Sequence, residues 1–324
     1  MGLFLDYIES KITTIETEFE HGIVCIYEAI SSNDKGVLHE LLTGKFLNAD
    51  RHMSTQAKTK HDHIKNKISQ YSYNNFVRLA KGTAYGIHQR FGHDIQSAHW
   101  SSSSGDIEKI TGNSETQQQN PADLIFKNKQ GQHVGLSLKI THKKNGKVPI
   151  GNPGAGQTDV QLGTDAVKHY DFAKKTMDIK YPQLIGKSNT EKKIMIKSDP
   201  AILADAKKHA TEAIKKIRDI WHEKLSTMPS SDLSDHIRNN LLHAKKTKIP
   251  LYKITTGGSA KDHSIKIEHP ETEHNHILND HSHISVHRSG DNSILFKHRG
   301  KTFLRHRLKT ESTPIVSSLK GSAE

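Results

Sequence analysis

A carboxylate and a lysine on either side of a short turn are the residues of this chain best suited to chemistry. Asn120-Pro121-Ala122-Asp123-Leu124-Ile125-Phe126 is followed, after Lys127-Asn128-Lys129-Gln130-Gly131-Gln132, by His133-Val134-Gly135-Leu136-Ser137-Leu138-Lys139-Ile140. Two apolar runs around a polar turn that contains Gly131 predict a β-hairpin. Asp123 then stands at the start of the first strand. Ser137 and Lys139 share one face of the second, because strand side chains alternate. These residue types suit phosphodiester hydrolysis assisted by a hard cation. The carboxylate holds Mg2+, while the ammonium orients the attacking water and balances charge developing on phosphate. The plain alternative is an amphipathic hairpin with a solvated Lys139 and an Asp123 that caps a turn.

Pro121-Ala122-Asp123 together with Ser137-Leu138-Lys139 resembles the signature of the PD-(D/E)xK nuclease superfamily in its Ser-x-Lys variant. Ala122 separates the proline from the aspartate, and Ser137 stands where a second acid usually does. The resemblance covers about residues 90 to 175. It implies an α/β (α+β) fold, with a restriction-endonuclease-like mixed sheet flanked by helices. It also implies Mg2+ as cofactor, Mn2+ as a substitute, double-stranded DNA as partner and in-line hydrolysis leaving 5′-phosphate ends. Asp123 would be a catalytic metal ligand, Lys139 would position the water, and Ser137 would be a small polar neighbour of the metal. Relatives of this kind often bring a glutamate from an early helix, which points to Glu28 within Ile23-Val24-Cys25-Ile26-Tyr27-Glu28-Ala29-Ile30. Its other reading is the solvent face of that helix. Asp159 is a second candidate metal ligand, or else a helix-capping acid. Asp106 is a third, and Gln161 could orient a water.

Composition points the same way. The 324 residues carry 47 Lys and Arg against 35 Asp and Glu, a formal charge of +12, which favours a polyanionic partner. With Cys25 as the only cysteine, neither an intrachain disulfide nor a thiolate zinc site can form within one chain. No apolar run reaches membrane-spanning length, and the opening Gly2-Leu3-Phe4-Leu5-Asp6 is too short and acidic for a signal peptide. A soluble, cytoplasmic protein without membrane partners is expected, a setting that includes the host cytoplasm if the protein is phage-borne. Cutting both strands of a symmetric site would call for a homodimer.

The elements that must position these residues divide into four segments. Residues 1–90 read as a helical region packing on the nuclease core, 91–190 as the core, 191–245 as helical, and 246–324 as a basic, His-rich strand region that contacts DNA. Between 143 and 158 a basic, glycine-rich loop carries Lys143, Lys144, Lys147 and Gln157 as candidate DNA contacts. A helix start at Thr158-Asp159 follows. Pro200 opens a long amphipathic helix through Ile202, Ala206, Ala210, Ile217 and Trp221 to about Leu225. Near the end, Arg299, Lys301, Arg305, Arg307 and Lys309 form a basic ridge suited to a phosphate backbone, or an edge strand guarded by charge. The histidines from His269 to His287, including His274, His276, His281 and His283, match no defined metal spacing and read as surface loops. Ser312 to Glu324 reads as a frayed tail. Two rivals to a nuclease stand beside it: a catalytically inactive DNA-binding protein that keeps the fold, and an RNA-directed nuclease or RNA-binding protein.

Overall fold

A computed structural model describes residues 15–18, 23–26, 30–48, 52–103, 105–114, 120–144, 154–242, 248–310 and 312–324. The chain forms two compact units. The first comprises residues 1–148 and 246–269, the second 149–245 and 270–324. Both are mixed α/β.

In the first unit, β1 (Ile15–Glu18) and β2 (Ile23–Ile26) pair antiparallel. The expected helix over this stretch is therefore corrected. Its β-branched Ile15, Thr17, Ile23, Val24 and Ile26 favour a pleated surface. Three helices follow: α1 (Ser32–Leu47), α2 (Thr55–Lys65) and α3 (Gln70–Phe91). Each starts at a serine whose hydroxyl accepts a backbone N–H of the first turn: Ser31, Ser54 and Ser69. On α1, Leu38, Leu41, Leu42 and Leu47 are buried at helical spacing. Next come β3 (Ile95–Trp100), the short α4 (Asp106–Thr111), β4 (Leu124–Asn128) and β5 (His133–Thr141). After the residues of the second unit, β6 (Leu251–Gly258) and β7 (His263–Glu268) complete a sheet of order β3-β4-β5-β6-β7.

In that sheet β5 and β6 are parallel and the other pairs antiparallel. Leu124, Phe126, Leu136, Leu138 and Ile254 are buried with Leu47, Ala84 and Ile87 from the helices. Ala122 and Ile125 pack separately with Ile107 and Ile249. The predicted hairpin is present. Leu124 faces Leu136 and Phe126 faces Val134, and Gly131 takes φ +82° in the turn. Gly82 and Gly86, one turn apart on α3, let the helix approach His263 and Ile265 of β7, where a Cβ would have little or no room.

In the second unit, α5 (Ala155–Leu162), α6 (Lys168–Lys180), α7 (Asn189–Ser198), α8 (Pro200–Ser226) and α9 (Ser230–His236) precede α10 (Pro270–Asn279). A four-stranded antiparallel sheet follows: β8 (Ile284–Ser289), β9 (Ser293–His298), β10 (Lys301–Thr310) and β11 (Leu319–Ala323), in the order β11-β10-β9-β8. α8 is the helix expected from Pro200. It buries Ile202, Ala206, Ala210, Ala213, Ile214, Ile217 and Trp221. The expected frayed tail is corrected: Leu319–Ala323 pairs with β10, and Ala323 is fully buried. Tyr170 anchors the segment before it. Its hydroxyl donates to the Ser317 carbonyl (3.2 Å) and accepts the Ile315 N–H (2.9 Å).

These units replace the four consecutive segments. Residues 251–268 have strand periodicity but belong to the sheet of the hairpin, and 270–279 of the His-rich stretch are helical. Alternation along a strand does not name its partner strand, so the sequence alone cannot make this division. No helix among the described residues is long and apolar enough to cross a membrane.

Candidate active site

Asp123 immediately precedes β4, and its backbone is fixed on both sides. Its N–H donates to Leu136 (2.8 Å) and its carbonyl accepts from Ser101 (3.0 Å). Its carboxylate turns to β5. Oδ2 accepts the Leu138 N–H at 2.7 Å, the Ser137 hydroxyl at 3.3 Å and the Lys139 ammonium at 3.1 Å. All three donors use one oxygen, which leaves Oδ1 open to a further ligand. The Lys139–Asp123 pair is partly solvated, with 35% and 23% of the two side chains exposed. Ser137 is buried. The three hairpin residues therefore converge as their spacing implied.

The sequence reading missed Glu40. Glu40 lies on α1 and accepts a hydrogen bond from the Trp100 indole, Nε1 to Oε2, at 3.1 Å. Burial, and then the neighbouring Asp123 charge, push the pKa of its carboxyl up to about 7. The Trp100 hydrogen bond and the Lys139 charge pull the other way without cancelling them. Two carboxyls and one ammonium thus share an electrostatic neighbourhood drawn from α1, the start of β4 and β5. Glu40 follows Leu38 and precedes Leu41 and Leu42, so its place at the margin of the buried face of α1 was the available signal.

The other candidates fall elsewhere. Glu28 lies outside the described residues, as does Lys147. Asp159 belongs to the second unit, and it does not open a helix at Thr158 because α5 begins at Ala155. Its carboxylate is fully engaged. Oδ1 accepts from Thr164 Oγ1 (2.6 Å) and Trp221 Nε1 (2.7 Å), and Oδ2 from the Val167 N–H (2.6 Å). With three donors on a buried carboxylate, it ties α5, α8 and the start of α6 together. Asp106 accepts the Ser102 and Ser103 N–H groups at 3.0 and 2.7 Å, an ordinary turn cap. Gln161 and Gln157 lie on α5, Gln157 half-buried.

Of the basic candidates, Lys143 is exposed and Lys144 pairs with Asp262. Arg299 pairs with Asp280 (2.7 Å), which also binds His283 and His298. Along β10, Arg305 and Arg307 are exposed and Lys309 half-buried, while Leu304, His306 and Leu308 are buried. The ridge has the expected alternation, but β10 lies inside its sheet, so the edge-strand reading is corrected. Lys301 is exposed at its start.

No group of three or more His, Cys, Asp or Glu side chains arranged to hold a metal occurs among the described residues. Mg2+ does not require one, since it is commonly held by one or two carboxylates together with water and substrate phosphate. Asp123 and Glu40 fit that donor set, Asp123 with an open oxygen and Glu40 with a carboxyl that a cation would relieve of its proton. Comparison of the chain with known protein families, with curated proteins and with solved structures gives no match.

Proposed function

We propose that the chain is a Mg2+-dependent endonuclease acting on double-stranded DNA, with its chemistry in the first unit. The observation that carries this reading is the Asp123–Lys139 ion pair across paired strands; Glu40 of an early helix is near enough for the Asp123 charge, after burial, to help push its pKa up to about 7. The element order adds support. A helix, an antiparallel three-strand meander and a fourth strand parallel to the third resemble the core of the restriction-endonuclease-like fold.

In this reading Asp123 and Glu40 would hold the cation. When bound, it supplies Lewis-acid polarisation of a phosphate oxygen and a water acidified toward neutrality. Lys139 leaves Asp123 to face the phosphate, where its ammonium orients the nucleophile and offsets the charge gathered in the transition state. Ser137 and the Leu138 N–H keep the Asp123 carboxylate turned toward the site. Trp100 fixes Glu40 through its indole N–H.

The test is nicking of supercoiled plasmid with Mg2+. Asp123→Ala and Lys139→Ala are each expected to lower the rate by about 100-fold or more, the scale of a lost acid–base or electrostatic group. Wild-type protein that binds duplex DNA but never nicks it would favour the inactive DNA-binding rival. Cleavage confined to RNA would favour the other.

A further inference from the structure

A cavity of the first unit is lined in part by Leu41 and by Trp100, whose indole donates to Glu40; the cavity itself has no role in the scheme above. It encloses about 540 Å³ between α1, the start of α2, the edge strand β3 and α4, a size ordinary for small-ligand sites. Leu41, Ala98, Ile110 and Leu124 give it an apolar floor, and the Trp100 ring forms part of the wall. Lys45, Lys109, His52 and His99 surround this floor. Asp106 is the one carboxylate in the lining, and two backbone N–H groups already occupy it.

The wall is also preorganised. Asn48 closes the β3 edge by accepting the Ala98 N–H (2.7 Å) and donating to the Ala98 carbonyl (3.0 Å), and it also donates to the His52 carbonyl (3.1 Å). Ser54 caps the eleven-residue α2 at the cavity wall, so the positive end of that helix dipole faces the same space. Gln96 is the extra residue of a β-bulge between Ile95 and Ser97, which carries a hydrogen-bonding amide to the lining. Burial, followed by the charges of His133 and His52, holds the His99 pKa below its ordinary range. The positive charge that could meet an anion here is therefore that of Lys45 and Lys109.

An aromatic wall, an apolar floor, a hydrogen-bonding amide and a cationic rim match the parts of one nucleotide. We propose that this cavity binds a nucleotide, with its base against Trp100 and the apolar floor and its phosphate toward Lys45, Lys109 and the start of α2. The nucleotide is either free or an unpaired unit of the strand being cut; the strand-borne form rests on the nuclease reading.

The experiment titrates the full-length protein with dAMP and with deoxyadenosine by calorimetry. It then compares a blunt duplex with the same duplex bearing one unpaired nucleotide. Saturable one-site binding of dAMP is expected, weakened about tenfold or more by loss of the phosphate or by Lys45→Ala with Lys109→Ala. Asp123→Ala should leave that affinity within about twofold. A tighter grip on the unpaired duplex, lost in the lysine variant, assigns the nucleotide to the strand. Equal affinity for the two duplexes alongside dAMP binding assigns it to a free ligand. Absence of saturable dAMP binding, or binding unchanged by both the phosphate and the lysines, overturns the proposal. Plasmid nicking is scored separately: nicking without dAMP binding removes this inference alone, and dAMP binding without nicking removes the nuclease reading alone.

Discussion

Glu40 is the residue on which pH should act. The pKa of its carboxyl is raised to about 7, so at pH 6 most molecules carry a proton there that a cation must displace. Cation affinity should therefore rise with pH, by up to tenfold per unit below 7, and level off above it. Calorimetry with Ca2+ at pH 6, 7 and 8 measures this together with the proton released on binding. Glu40→Gln should abolish both the pH dependence and the cleavage. The folding linkage has the opposite sense. An acid whose folded pKa lies above its unfolded value costs stability as pH rises from about 4.5 to 7. Glu40→Gln should thus melt higher than wild type at pH 8 and match it at pH 4. A melting difference equal at both pH values would show that Glu40 is not buried beside another charge.

At the scale of elements, the hairpin that carries Asp123 and Lys139 was more legible than the frame around it. The hairpin of β4 and β5 and the long α8 could be read because alternation, helical spacing, Gly131 and Pro200 are local signals. Glu40 could not, because its role depends on Trp100 and Asp123, both far along the chain from α1. Nor could the partner of β6, since a half-buried strand reads alike beside a parallel or an antiparallel neighbour. Asp159 is instructive in the other direction. Its place after a glycine-rich loop suggested a ligand, yet three donors make it a structural joint. Asp159→Ala would strand the Trp221 indole and the Val167 N–H without their acceptor, at about 1–3 kcal/mol for each group. A melting point lowered by several degrees, with plasmid nicking at 25 °C within about twofold of wild type, is the expected outcome. Nicking abolished in protein that is still folded would restore Asp159 to the active site.

For the molecule as a whole, charge and buried histidine set the response to salt and acid. The +12 surplus should make duplex binding fall steeply with ionic strength. Neutralising Arg305 and Arg307 should flatten the logarithmic salt slope by about 0.9 for each phosphate that an arginine had neutralised; an unchanged slope would remove the β10 ridge from the interface. His39 in the first unit and His306 in the second have pKa values held by burial at about 4 and about 3. Both are neutral in the fold at pH 6, while the unfolded chain takes up protons there. Stability should therefore decline as pH falls from about 6.5 toward 4, at up to about 1.4 kcal/mol per pH unit for each histidine. Denaturant melts of His306→Gln should show a shallower decline.

The parallel pairing of β5 with β6 has a consequence for synthesis. Lys139 is made early, but the strand that flanks its own begins at Leu251, after the ribosome has added the whole of α5 to α9. A polypeptide interrupted anywhere in that interval carries the Asp123–Lys139 pair on a hairpin that has β3 beside β4 but no strand beside β5. If the chain is the nuclease proposed above, its site gains the second flanking strand only when translation is well advanced.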